Sequence, residues 1–307
     1  MRAVVVGAGG LGSYIGALLS KAGHDVDLVA RGAHADAIRS SGLHVETVHG
    51  DFEVRAACVE SALELGGADL TVVAVKAFSL DEVAVQVAHL AERGSVVVSV
   101  LNGVTASERL AAAGCPDDRL VDGIAYMTAF RTAPGRVVRK AAHHSLVVGS
   151  STGAPPSALD TVSEAFDGTG VDIVVADDIQ PELWRKMAVV CSLSAICALS
   201  GESMGPVRTH RFGAELQRRA IAEVTSVARA RGVAMASDAE EHIGSLLDAF
   251  PADFYPSVIH DLKRGRRTEM EQLGGVIVAL GREVGIEAPL HEAATLAVQL
   301  GEARSTG

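Results

Sequence analysis

The sequence predicts an α/β fold in its amino-terminal part and an all-helical fold in its carboxy-terminal part. Three observations carry the expectation. The chain opens M-R-A-V-V-V-G-A-G-G-L-G-S-Y-I-G, an apolar run that breaks at spaced glycines and passes into a helical pattern. Val-rich runs then alternate with helical patterns as far as residue 101. Beyond Pro181 the strand signal almost disappears.

Each element follows from its own pattern. Arg2 to Val6 reads as a strand and Leu11 to Ala22 as a helix, stopped by Gly23 acting as a left-handed cap. Asp25 to Ala30 is a second strand. Asp69 to Val75 and Ser95 to Leu101 are two more, with a helix over Leu80 to Glu92 between them. Continuous apolar strands separated by helices imply a mostly parallel sheet covered on both faces. Near Val121 the pattern changes. Gly123 to Phe130 and Arg136 to Val148 read as strands joined at a Pro134-Gly135 turn, a meander or hairpin appended to the sheet. Ser157 to Phe166 is a helix and Val171 to Val175 a last strand. Glu182 to Leu199, Arg208 to Arg231, Asp238 to Ala249 and Glu269 to Val284 read as helices, and Pro289 opens a final one. The boundary between the two parts is expected around residues 176–180, giving domains over 1–177 and 178–307. The segment Gly301 to Gly307 is expected to fray.

Gly7, Gly9, Gly10, Leu11 and Gly12 form a candidate phosphate-binding loop. The spacing G-x-G-x-x-G is weak alone but gains weight between a strand and a helix. The first glycine permits a tight turn. The second lets the backbone approach a pyrophosphate, and the third lets the helix pack closely on the strand. The helix start then presents free N–H groups and a positive dipole end to the phosphates. These features make the first domain a Rossmann-type, dinucleotide-binding one. The competing reading is a tight strand–helix turn with no ligand.

The end of the second strand bears on which dinucleotide. An acid there accepts from the ribose 2′-OH of NAD. This chain reads D-V-D-L-V-A-R-G, with Ala30 at the acid's position and Arg31 after it. A guanidinium suits a 2′-phosphate by charge and geometry, so NADPH is expected. Two alternatives stand: Arg31 as a solvated surface arginine, and Asp27 as the acid.

Composition excludes several functions. The 307 residues are 48% hydrophobic and 21% charged, with a formal net charge of −11. That balance disfavours nucleic acid and anionic membranes as partners. No apolar stretch is expected to span a bilayer. The N-terminus lacks the pattern of a signal peptide, so a cytoplasmic location is expected. Cys58, Cys115, Cys191 and Cys197 form no C-x-x-C pair and are expected as free thiols. His143 and His144 are adjacent and are not read as a metal site; no metal is expected. The long apolar helices of the second part leave two uses open, a core or a homodimer interface.

Five stretches in order carry a resemblance to a known family. They are the glycine loop, V-A-V-K-A-F around Lys76, L-N-G around Asn102, E-L-W-R-K-M around Lys186 and P-S-V-I-H-D-L-K-R-G-R-R-T-E ending at Glu269. Over nearly its whole length the chain resembles ketopantoate reductase (2-dehydropantoate 2-reductase). The resemblance implies an NADPH-dependent oxidoreductase that reduces a small 2-oxo acid in pantothenate biosynthesis. By position, Lys186 is then the general acid and Glu269 the acid that positions it. Ser257 and Asn102 contact substrate, while Lys76 and Asn102 lie by the nicotinamide. An ammonium suits the first role because it stabilises charge on the carbonyl oxygen and supplies the proton. Thr268 and Glu271 have capping-box spacing, which puts Glu269 in a first helical turn. Bland readings compete at each position: a surface lysine for Lys186, a loop lysine for Lys76, a dipole-favouring acid for Glu269, a turn residue for Asn102, a helix cap for Ser257. Trp184 is expected to pack.

One departure touches the substrate. The family usually carries asparagines four and eight residues after the lysine, where this chain has Val190 and Ser194. Lys186, Val190 and Ser194 share a helix face, and valine offers no hydrogen bond. The chain therefore suits either ketopantoate, with another residue replacing the amide, or a different ketone or imine. Outside enzymes, the rival is an NADPH-binding regulatory module.

Overall fold

The computed structural model describes residues 1–141 and 144–305. They fall into two compact units, Met1–Leu101 with Thr105–Ile179, and Asn102–Val104 with the chain from Gln180 onward.

The first unit is an α/β fold. Its strands are β1 (Arg2–Val6), β2 (Asp25–Val29), β3 (Leu43–Thr47), β4 (Phe52–Val54), β5 (Ala57–Val59), β6 (Leu70–Val73), β7 (Val96–Ser99), β8 (Leu120–Tyr126), β9 (Phe130–Ala133), β10 (Arg136–Arg139), β11 (Ser145–Gly149) and β12 (Asp172–Val175). Its helices are α1 (Gly10–Lys21), α2 (Gly32–Ser41), α3 (Leu80–Ala91), α4 (Ala106–Ala112) and α5 (Pro156–Phe166). Eight strands form the main sheet in the order β12-β11-β8-β7-β6-β1-β2-β5. Every neighbouring pair is parallel except β8 with β11.

The central strands β1, β6 and β7 are apolar almost throughout because both faces are covered. On β1, Ala3 and Val5 face one core with Tyr14, Ile15 and Leu19 of α1 and Val162 and Phe166 of α5. Val4 and Val6 face the other, with Leu80, Val87 and Leu90 of α3 and Leu110 of α4. The period of two thus survives as a choice of core, not as an alternation of apolar and polar. Helix α1 ends as expected: Gly23 has φ +93° and His24 N–H donates to the Leu19 carbonyl at 3.1 Å.

The expected strands past Val121 need correcting. The Pro134-Gly135 turn joins β9 to β10, and both leave the main sheet for a second one ordered β4-β3-β10-β9. The single expected strand over Arg136 to Val148 is two, β10 in the second sheet and β11 in the first. A change of partner strand leaves the side-chain period unaltered, so the sequence pattern runs through it. His143 lies outside the described residues.

The second unit is helical. It comprises α6 (Gln180–Ser200), α7 (Met204–Thr209), α8 (Gly213–Ala230), α9 (Ala239–Asp248), α10 (Ser257–Lys263), a π-helical turn over Glu271–Gly275, α11 (Val276–Glu283) and α12 (Pro289–Ser305). Helix α6 packs against α8, α9 and α12. It is long and apolar enough, by length and composition, to cross a membrane, which corrects the expectation that no stretch would be. Burial explains its composition: Trp184, Met187, Ala188, Cys191, Ile196 and Cys197 all sit in the helical core. The expected helix over Arg208 to Arg231 is broken at His210–Phe212. The break brings the Gly213 backbone so close to the Val207 carbonyl that a Cβ there would lie 1.8 Å from its oxygen. The tail expected to fray is helical through Ser305, with Gly301 backed by Leu262.

Candidate active site

The glycine loop leaves the carboxyl end of β1, between β6 on one side and β2 on the other. Chain order reverses there, the place where parallel sheets leave a crevice for ligands. Gly7 has φ +102°, and a Cβ on it would lie 2.7 Å from the Val75 backbone nitrogen. A Cβ on Gly12 would lie 2.1 Å from the Gly7 carbonyl oxygen. Both clashes are with backbone, which cannot swing aside. Gly10 is pressed against the Ala129 carbonyl. Gly9 differs: a Cβ there meets nothing within 4 Å among the described residues. The loop is thus closed behind and open at its second glycine, the position where a pyrophosphate must approach. Helix α1 has no side-chain cap and no acid in its first turn, so its N-terminal N–H groups are left for an anion. Leu11 is partly buried against the core and contributes backbone to this turn. The residues present fit a bound dinucleotide.

Arg31 is exposed and caps α2 directly after β2. Ala30, at the position an acid would need, is buried. Asp27 is engaged elsewhere: Arg2 Nη2 lies 2.9 Å from its Oδ2, and its surface is covered. Lys76 is exposed just past β6, capping a short 3₁₀ turn. Asn102 follows β7 but belongs to the helical unit, where Val104 joins the core and Gly103 lies alongside the Gln272 backbone.

Lys186 sits on α6 with only part of its side chain exposed. Burial of the ammonium pulls its pKa down from 10.5 to about 8, and the Glu269 carboxylate partly restores it. Glu269 is 6% exposed. This pair is the clearest chemical feature of the helical unit: a lysine balanced near neutrality by desolvation against an acid partner.

The local structure around Glu269 differs from the expected capping box. Thr268 Oγ1 accepts from Met270 N–H at 3.2 Å. The reciprocal bond comes from Glu302 of α12, which accepts from Thr268 N–H at 2.6 Å. Glu271 instead accepts from Gln299 Nε2 at 2.6 Å. Glu269 therefore precedes the helical start, and the N–H of Thr268 just before it is satisfied by a residue 34 positions on, invisible to local spacing.

The wall expected on α6 is graded. Val190 is partly buried against the helical core, and Ser194 is wholly buried with its Oγ lacking a hydrogen-bond partner among the described residues. Trp184 packs in the core at 2% exposure. Ser257 is exposed as the first residue of α10 and makes no capping bond; Pro256 precedes the helix. All four cysteines are free, with Cys58 partly buried and the others buried. Sequence reasoning passed over Ser13 and His34, which share a hydrogen bond behind the glycine loop. No local signal marks them, because their third partner is 101 residues from His34.

Comparison with known proteins supplies the wider context. The family model described as "Ketopantoate reductase PanE/ApbA" matches residues 3–153, and its "C terminal" companion matches residues 178–302. A 2-dehydropantoate 2-reductase of Archaeoglobus fulgidus is 30% identical over 290 residues, covering 94% of each chain. An uncharacterised oxidoreductase of Bacillus subtilis is 27% identical over 303 residues, covering 99% of each. Among solved structures, a ketopantoate reductase from Ralstonia eutropha covers all of both chains at 28% identity and a TM-score of 0.90.

Proposed function

The chain belongs to the ketopantoate reductase family, and from that premise we propose that it is an NADPH-dependent reductase of a 2-oxo acid, of the ketopantoate-to-pantoate type. The observation that carries the reading is the Lys186–Glu269 pair. An ammonium with a pKa of about 8 is mostly charged at neutral pH yet gives up its proton readily.

The glycine loop holds the pyrophosphate through backbone N–H groups, with Gly9 leaving room for it. Arg31 pairs with the 2′-phosphate, an assignment supported by Ala30 at the acid's position and by Asp27 being tied to Arg2. NADPH bound there would be the source of the hydride for the carbonyl carbon. Lys186 steadies the growing negative charge on the carbonyl oxygen and passes it the Nζ proton, which completes the hydroxyl. The amine left behind regains a proton from water. Glu269 holds Lys186 in its charged form between turnovers. Asn102, partly buried, offers the substrate both a donor and an acceptor.

Replacing Lys186 with alanine tests the assignment. Ketopantoate-dependent NADPH oxidation should fall by at least the ~10²-fold typical of a lost general acid, with NADPH affinity within about threefold of wild type. Undiminished turnover removes Lys186 from the mechanism.

A second reading concerns the substrate. Val190 packs with apolar neighbours and offers no hydrogen bond. A 2-oxo acid with an apolar substituent would leave nothing unpaired beside it, whereas burying an unpaired polar group costs ~1–3 kcal/mol. Comparing kcat/KM for ketopantoate and for 2-oxo acids lacking its hydroxyl decides between them. A preference for ketopantoate removes the second reading.

A further inference from the structure

The glycine loop is fastened from behind by a buried chain of polar groups. Ser13, in the first turn of α1, places its Oγ 3.1 Å from the Ala8 carbonyl oxygen, at the centre of the loop. The same Oγ lies 3.1 Å from Nε2 of His34 on α2. Nδ1 of His34 lies 2.9 Å from the backbone nitrogen of Gly135, in the turn between β9 and β10. Ser13 has no exposed surface, and His34 and Ala8 are 4% and 5% exposed.

The proton positions follow from the partners. The Gly135 N–H can only donate, so Nδ1 must carry a lone pair. In a neutral ring the proton then sits on Nε2 and is donated to Ser13 Oγ. Ser13 in turn donates to Ala8. Three elements distant in sequence thus hold one carbonyl of the loop, and each bond points the same way along the chain. Nothing local requires it: Gly135 is reached only because its φ of +69° turns the hairpin back against α2.

We propose that His34, as a neutral imidazole, is a positioning residue for the dinucleotide: it fixes Ala8 through Ser13 and so holds the glycine loop in the shape that receives the pyrophosphate. A ring protonated at both nitrogens confronts the Gly135 N–H with a second donor and breaks the chain at that end. Cofactor affinity therefore falls as His34 takes up a proton. The surroundings keep the ring neutral at ordinary pH. Burial lowers its pKa, the Arg131 guanidinium of β9 lowers it further, and the Ala8 carbonyl opposes them weakly. The inference rests on the reading of this loop as the dinucleotide site.

The test separates the two links of the chain. His34→Gln keeps a donor near the Nε2 position and loses the acceptor. His34→Asn keeps an acceptor near the Nδ1 position and loses the donor. Ser13→Ala removes the middle link and leaves His34 in place. NADPH dissociation constants for the full-length protein and these variants would be measured by titration calorimetry from pH 5.5 to 8.5, with thermal melts alongside. His34→Asn, Ser13→Ala and His34→Gln should each weaken binding about tenfold at pH 8, His34→Gln because it lacks the acceptor that the Gly135 N–H needs. Wild-type binding should weaken on acidification with a one-proton step that His34→Gln lacks, beyond any titration of the cofactor's own 2′-phosphate, which both proteins share. Wild-type affinity in Ser13→Ala, or identical pH profiles in wild type and His34→Gln, overturns the inference while leaving the loop as a dinucleotide site. Wild-type protein that binds neither NADPH nor NADH overturns the reading of the loop and the inference with it.

Discussion

Replacing Glu269 with glutamine should move the alkaline limit of activity downward. Burial holds Lys186 at a pKa of about 8 where 10.5 is ordinary. At ~1.4 kcal/mol per pH unit, that net shift is roughly 3 kcal/mol, and desolvation by itself costs more. The Glu269 carboxylate opposes this loss. Opposite charges about 5 Å apart attract by ~3 kcal/mol at an effective dielectric near 20, and removing such a partner typically lowers a cation's pKa by ~1–2. The glutamine variant should therefore lose its Lys186 proton about one to two pH units lower than wild type. At pH 7 the wild-type lysine is about 90% charged and the variant's about 10–50%, because each unit changes the ratio tenfold. The assay is kcat/KM for NADPH-dependent 2-oxo acid reduction from pH 5.5 to 10. The sign is fixed by the role. A general acid must be protonated, so wild-type activity falls above about pH 8, and the variant's falls from one to two units lower. The deficit at pH 7, about two- to tenfold, should shrink on acidification. An alkaline limb left in place or moved upward refutes the electrostatic account of Glu269. A deficit equal at every pH refutes it too.

Two further outcomes follow from the nucleotide half. Arg31→Ala should raise the NADPH dissociation constant about 10- to 100-fold, the weight of a charge-assisted phosphate contact of ~1.5–3 kcal/mol; equal losses for NADPH and NADH would remove Arg31 from 2′-phosphate recognition. Gly9→Ala should leave the melting temperature within a few degrees, since its Cβ enters open space. It should nonetheless weaken dinucleotide binding at least tenfold, and calorimetry showing unchanged affinity would mean that no pyrophosphate approaches there.

Much of the fold was legible in the chain because its signals are local. The strand–glycine–helix opening, the Val-rich runs and the apolar helices past Pro181 depend only on neighbouring residues and their period. Even the cap at Gly23 needs no distant partner. The elements misread were those whose identity depends on what they touch. One expected strand proved to be β10 and β11 because a strand's partner leaves no mark on its period. Helix α6 looked like any long apolar helix until its neighbours explained its composition. The capping box at Thr268 failed because Glu302 supplied the bond that Glu271 was expected to make.

The candidate site divides along the same line. Sequence alone determined which chemistry is available: glycines for a phosphate loop, an arginine in place of an acid after β2, a lysine and a glutamate in the helical part. Those are residue identities at short spacings. Only the tertiary structure decided what state the groups are in. It tied Asp27 to Arg2 and covered its carboxylate. It desolvated Lys186 beside Glu269, some 80 residues away in sequence, and thereby set its proton affinity. It joined Ser13, His34 and Gly135 behind the glycine loop. A spacing can name a functional group, but dielectric surroundings and hydrogen-bond partners set its charge and its aim, and those come from segments folding together.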